Sequence, residues 1–296
     1  MKKQHNEVVQ GTEKEFLDVF KQLCYSRSAW QVWEDVIMII ALSIANATEW
    51  NKEKKEQREK IYCDCVKKIG GEKMVQLVSK LMAIIIMALE ENPEQDFLGK
   101  IYMELELYSH WKGQFFTPYS VCKFMATMNV GEGTKNEIKE KGYFSVCDPA
   151  CGAGALLIAY ANELKKKEIN YQQTTVFVGQ DIDVIVGMMC YIQLSLLGCA
   201  GYIVIADTLT NPICGDVLNP IEKEGQQFWY MPMFQMEQWH MKRWLHKIKK
   251  IGKRIEKTIP EKPVDVVTQR EKKQLEDKKK KNEVIAGQLD LFSMLK

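Results

Sequence analysis

Three acids from the middle of the chain onward each close a short apolar run: Asp148 in "VCDPACGAGALL", Asp181 in "GQDID" and Asp207 in "ADTL". A carboxylate at such a place can accept hydrogen bonds from hydroxyl and amine groups of a small molecule. After Asp148 comes a turn of small residues, Pro149, Ala150, Gly152 and Gly154. Without a Cβ, the two glycines let the backbone tighten and a ligand press against it, and the free N–H groups of a following helix suit an anionic group. Asp181 is placed to hold ribose hydroxyls and Asp207 to face an adenine. Three acids at three consecutive strand ends then converge on one adenosine-shaped pocket. The alternative is three ordinary strand-ending turns.

The elements that must position these acids are legible from residue 143 onward. "YFSVCDP", "GALLIAYANELKKK", "TVFVGQDID", "VIVGMMCYIQLSLLG" and "YIVIADTL" alternate short apolar runs with helical stretches. Strand, helix, strand, helix, strand predicts a parallel sheet with crossover helices, whose ligands sit at the carboxyl ends of the strands. After residue 210 the rhythm stops, and "QQFWYMPMF" is at best one further strand or an aromatic loop. Upstream, residues 13 to 110 carry helical spacing, as in Phe16, Val19, Phe20 and Leu23 or Met74, Leu77, Val78, Leu81 and Met82. Asn92-Pro93 ends one of these helices, and Asp96 is a start for the next.

Composition excludes several classes. With 296 residues and 46% hydrophobic content, the chain has core enough to fold without staples. Its nine cysteines are scattered, which predicts thiols in a reducing compartment. Cys63 and Cys65 lack a second pair at ligand spacing, so no metal is expected. The N-terminus has no apolar stretch after its lysines, so a cytoplasmic location is expected. The apolar runs at 36–47 and 81–90 fall short of the roughly 18 to 20 residues that span a bilayer. Residues 242–281 hold 16 Lys/Arg against 6 Asp/Glu, although the whole chain is only +2. A basic stretch on an acidic body suits an anionic partner such as DNA, or is simply a solvated charged helix.

"GQFFTP" (113–118), "DPACGAG" (148–154), "GQDID" (179–183) and "ADTL" (206–209), in that order, resemble the adenine-specific (N6) DNA methyltransferases, in particular the modification subunits of type I restriction systems. "DFLGKIYMELE" (96–106) resembles the helix that leads into that family's cofactor motif. The resemblance covers roughly residues 90 to 210. It implies a Rossmann-like S-adenosylmethionine-dependent methyltransferase domain of α/β class, preceded by a helical N-terminal domain, with S-adenosyl-L-methionine as cofactor and DNA as substrate. Phe116, Thr117 and Pro118 match the motif that closes over the methionine end of the cofactor. Asp148, Pro149, Ala150, Gly152 and Gly154 match the glycine-rich turn, Asp181 the ribose acid and Asp207 the acid beside the cofactor's adenine.

Methylating an adenine amine needs a flipped base, acceptors for the amine protons and an aromatic stacked on the base. The family supplies these as Asn-Pro-Pro followed by Tyr or Phe, after a fourth strand. Here only Asn211-Pro212-Ile213 and Asn219-Pro220-Ile221 occur, without the second proline or the aromatic. Asn219 and Asn211 are therefore candidate but imperfect catalytic residues, and each Asn-Pro is equally a turn starter. The sheet reads as truncated, and no target-recognition region is visible. A specificity or completing subunit is expected to supply what is missing.

At the C-terminus, "QLDLF" resembles the peptide by which bacterial replication and repair proteins bind the DNA sliding clamp. Gln288 would dock by hydrogen bonds, Leu289, Leu291 and Phe292 would fill apolar pockets, and Asp290 would face outward. The alternative is a terminal turn packed on its own domain. The expected organisation is a helical domain at 1–110, the methyltransferase domain at 111–240, a basic helix and linker at 241–285 and a docking peptide at 286–296. Two functions follow as expectations: a DNA methyltransferase of a bacterium or mobile element, or a non-catalytic DNA-associated binding or regulatory protein that keeps the cofactor half of the fold.

Overall fold

The structure, a computed structural model, describes residues 2–25, 27–107, 116–258, 273–274 and 276–277. It divides into two units, Met1–His246 and Lys247–Lys296. Residues 113–115 and the whole 286–296 peptide, with Gln288 to Phe292, lie outside the described residues.

Five helices come first: α1 (Lys2–Leu23), α2 (Ala29–Thr48), α3 (Lys52–Ile69), α4 (Glu72–Glu91) and α5 (Phe97–Glu104). Their starts follow local chemistry. Ser28 caps α2 by accepting from the Gln31 N–H, Asn51 caps α3 from Lys54, and Asp96 caps α5 from Gly99 at 2.9 Å. Next come α6 (Tyr119–Asn129) and α7 (Glu132–Lys141). The alternating part follows as β1 (Phe144–Asp148), α8 (Ala155–Lys166), α9 (Tyr171–Thr174), β2 (Thr175–Asp181), α10 (Val184–Leu196) and β3 (Ala200–Ile205). A two-stranded hairpin, β4 (Cys214–Asp216) and β5 (Asn219–Ile221), precedes β6 (Gln227–Tyr230), α11 (Pro232–Gln235) and α12 (Glu237–Thr258).

The main sheet has the order β1-β2-β3-β6. β1, β2 and β3 are parallel, as the alternating pattern predicts, and β6 runs antiparallel to β3 with Ile203 opposite Trp229. The aromatic stretch is thus the further strand, closing one side of the sheet. β2 and β3 are almost wholly buried, whereas β1 is half exposed.

α10 is buried on every side from Ile185 to Leu194, which accounts for its unbroken apolar run: the sheet packs on one side of it and α2 on the other. Phe16, Trp33, Phe97 and Tyr102 of the helical segment therefore share one core with Phe177, Ile192 and Ile203. The opposite face of the sheet is covered by Phe234, Trp239 and Leu218. Trp239 is fully buried and donates its indole N–H to the Gln172 carbonyl at 2.8 Å. Among the described residues no helix is long and apolar enough to cross a membrane.

Candidate functional site

At the carboxyl ends of β1 and β2 lies a cavity of about 370 Å³, a size that suits a small-molecule ligand. Asp148, Ala150, Gly152 and Asp181 line it, with Phe116 and Thr117 from the segment before α6 and Asp96 from the start of α5. A second cavity of about 390 Å³ shares Asp96, Phe116 and Thr117 and adds Pro118.

The turn after β1 is built by its own hydrogen bonds. Asp148 Oδ1 accepts from the Ala150 N–H at 3.1 Å, and the Cys151 N–H donates to the Gln180 carbonyl at 3.0 Å, which ties the turn to β2. The Gly152 N–H donates to Asp181 Oδ2 at 2.9 Å, while Asp181 Oδ1 accepts from the Asp183 N–H at 2.9 Å. Asp183 in turn caps α10 by accepting from Ile185 and Val186. One carboxylate thereby fixes the glycine turn and the start of the next crossover helix, and both oxygens keep a lone pair for a ligand.

The two glycines differ. Gly152 has φ +54°, and a Cβ there would stand 3.4 Å from the Phe116 ring, so its bare face belongs to the cavity. Gly154 caps α8 at φ +98°, and a Cβ there would come within 2.8 Å of Cys190 Sγ. Gly154 is a close-packing residue between α8 and α10, absent from the cavity wall.

Asp96, read in the sequence only as a helix start, is the third carboxylate of the cavity. Gln193 holds it there. The Gln193 amide donates to Asp96 Oδ1 at 2.8 Å and to the Ala153 carbonyl at 2.9 Å, while its own oxygen accepts from the Leu98 N–H at 3.1 Å. A lone Gln in the apolar run "MMCYIQLSLL" was the available signal, since a buried amide needs partners from other elements.

Burial pushes the carboxyls of Asp148, Asp181 and Asp96 up from the ordinary aspartate value. Main-chain bonds oppose the rise at Asp148 and Asp181, and the bonds from Gln193 and Gly99 oppose it at Asp96. Among the described residues, three carboxylates line this cavity and no Lys or Arg does. Such a wall favours a ligand with positive charge and disfavours one with a phosphate chain.

Asp207 is not among the lining residues. It is half-buried and accepts from the Leu209 N–H at 2.8 Å, and this bond with those from Thr210 holds its carboxyl below the usual range. Its loop is tied to the glycine turn, because the Thr208 hydroxyl donates to the Pro149 carbonyl.

Neither Asn-Pro pair reaches the cavity. The Asn211 side chain donates to the Glu224 carbonyl at 3.0 Å, and its own carbonyl accepts from the buried Gln180 at 2.9 Å. Asn219 lies on β5 opposite Asp216, and its amide donates to the Arg243 carbonyl at 3.5 Å.

Three parallel strands with a cavity over the glycine turn at their carboxyl ends, preceded by helices, define a Rossmann-like domain. The model of the N-6 DNA Methylase family matches residues 94–252, more than half of the chain, and the chain belongs to that family. Membership implies S-adenosylmethionine as the cofactor. Among solved structures, the chain is similar to one assigned as a class I S-adenosylmethionine-dependent methyltransferase from Listeria monocytogenes, at 17% identity and a TM-score of 0.42, over 72% of this chain and 57% of that one. It is also similar to a type I restriction-modification system methyltransferase subunit from Streptococcus thermophilus, at 15% identity and a TM-score of 0.35, over 69% of this chain and 59% of that one. The chain thus spans less than two thirds of either. No curated protein matches it.

Proposed function

We propose that the chain is the cofactor-holding part of an adenine-N6 DNA methyltransferase that works in the cytoplasm. The observation that supports this best is the wall of Asp96, Asp148 and Asp181, with no basic side chain among the described lining residues. S-adenosylmethionine carries a sulfonium and an ammonium, and both are stabilised by ionised carboxylates at short range. When bound, it supplies an electrophilic methyl group.

The residues act on the cofactor by binding and orientation. Asp181 accepts from ribose hydroxyls, and Gly152 leaves room for close approach beneath the Phe116 ring. Thr117 and Pro118 close the methionine end, and Asp148, Pro149 and Ala150 shape the turn. Asp207, on the loop tied to Pro149, is the group for the adenine end. Gly154 keeps α8 close to α10, so that the turn stays where Asp181 can hold it.

The acceptors for the target amine come from outside the described residues. Asn211 and Asn219 have their amides engaged by main-chain carbonyls away from the cavity, and their role in this proposal is to hold turns. That same observation favours the second reading, a DNA-associated binding or regulatory protein. The two separate on whether DNA becomes methylated once a completing chain is added.

The test is a comparison of ligands on the full chain. S-adenosylmethionine should bind, while ATP and NAD, whose phosphates would meet three carboxylates, should not. Binding of ATP in place of S-adenosylmethionine would refute the assignment.

For the C-terminal "QLDLF" we propose sliding-clamp docking, supported by the pentapeptide and the charged stretch before it. Replacing Leu291 and Phe292 together with alanine should abolish binding to a purified bacterial clamp. Unchanged binding would rule the peptide out.

A further inference from the structure

S-adenosylmethionine carries a carboxylate besides its sulfonium and its ammonium, and the three aspartates that suit the cations repel it. A carboxylate leaving water needs a cation or hydrogen-bond donors. The cofactor cavity supplies no Lys or Arg among the described residues, but the adjoining cavity of about 390 Å³ is lined by Lys100. Among the described residues Lys100 is the single basic side chain in the walls of the two. Asp96, Phe116 and Thr117 belong to both walls, so an extended molecule can run from the first cavity into the second along them.

The start of α5 sets the two charges one helical turn apart. Asp96 is the cap, and the Lys100 N–H donates to the Asp96 carbonyl at 3.1 Å, so the two side chains leave the same end of the helix as i and i+4 neighbours. Among the described residues the hydrogen bonds to the Asp96 carboxylate, from Gly99 and Gln193, both fall on Oδ1, which leaves Oδ2 for a ligand. Glu94, the other described acid of the second cavity, is engaged by Lys123 and Lys166 at 2.8 Å each. Lys100 is paired with Glu13 of α1, and its side chain remains 56% exposed. An ammonium has three N–H donors, so this pair leaves room for a second carboxylate.

We infer that the first turn of α5 reads the amino-acid end of the cofactor, with Asp96 on the ammonium at the wall the cavities share and Lys100 on the carboxylate in the second cavity. The inference rests on the proposed function and deepens it. Lys100 is then a specificity-determining residue. The three aspartates alone would hold any S-adenosyl sulfonium, with or without a carboxylate, whereas Lys100 selects the one that has it. Glu13 positions the lysine and competes for its charge, so its removal leaves the cation wholly to the ligand.

The test is calorimetric titration of the full chain, and of its K100M, K100R and E13Q variants, with two ligands: S-adenosylmethionine and its decarboxylated analogue, which keeps the sulfonium and the amine. The parent should prefer S-adenosylmethionine. K100M should bind it about ten-fold more weakly, the scale of one charge-assisted contact, and bind the analogue as well as the parent does or better. K100R should recover most of the loss. E13Q keeps the cation without the ion pair, and should bind S-adenosylmethionine at least as tightly as the parent. Equal losses for both ligands in K100M, or a loss in E13Q as large as that in K100M, would mean that Lys100 only ties α5 to α1, and the inference would fall. Unchanged affinity of K100M for S-adenosylmethionine would overturn it too. A parent that binds the analogue but prefers it would refute the carboxylate site alone, whereas a parent that binds neither ligand would refute the proposed function and the inference with it.

Discussion

The Gly152 N–H and Asp181 Oδ2 lie 2.9 Å apart, so the ligand-facing turn after β1 is held by the acid at the end of β2. The two strands pair in parallel, with Asp148 opposite Gly179, and the bond crosses between their carboxyl ends. Turn and acid therefore form one unit. A change at either should be felt as lost ligand affinity more than as lost fold.

The glycines allow a contrast within five residues of chain. Gly154→Ala faces strain at φ +98° and a clash with Cys190, and should destabilise the protein by about 1–3 kcal/mol. Gly152→Ala meets only ordinary contact with Phe116 and a left-handed cost of about 1–2 kcal/mol, but it fills the cavity wall. Thermal unfolding beside cofactor titration would separate them. Gly154→Ala should lower the melting temperature more, and Gly152→Ala should lower the affinity more.

Protonation acts in opposite directions on the empty and the loaded protein. Burial raises the Asp96, Asp148 and Asp181 carboxyls, so each favours the folded state below its unfolded pKa and loses that contribution as pH rises through the folded one. A cationic ligand needs them ionised. Affinity for S-adenosylmethionine should fall on acidification, with proton release on binding at the lower pH. Asp96→Asn separates the two effects, because Asn still caps α5 and still accepts from Gln193. At pH 7 the variant should melt higher than the parent and bind the cofactor roughly ten-fold more weakly, the scale of one charge-assisted contact. Equal affinity would remove Asp96 from the site.

Gln193→Leu should leave the Leu98 N–H and the Ala153 carbonyl without their side-chain partner, at about 1–3 kcal/mol per buried group. The change also releases Asp96. Stability and cofactor affinity should fall together, in contrast to their divergence at Asp96→Asn.

Much of this was legible in the sequence because it depends on local rules. The strand and helix alternation gives β1 to β3 with their crossovers, and Asp96 after Asn-Pro reads correctly as a cap. The placement of Asp181 follows from its position at a strand end. Other features are non-local. Nothing in "ENPEQDF" says that its acid meets a Gln 97 residues later, and nothing in "GAG" tells the ligand-facing glycine from the packing one. Asp207 shows the limit from the other side. Its place after β3 is legible, but not that Leu209 and Thr210 bond the carboxylate within its own turn, because short acidic side chains compete for nearby backbone N–H groups.

The most direct measurement is calorimetric titration of S-adenosylmethionine into the full chain and into Asp181→Asn. Saturable binding to the parent is expected at pH 7, weakened ten- to hundred-fold in the variant, about 1.5–3 kcal/mol for a bond to a charged group, with the melting temperature of the ligand-free protein also lowered because the Asn amide nitrogen cannot accept from one of the two main-chain N–H groups. No binding to the parent at millimolar cofactor, or equal binding to both proteins, would contradict it.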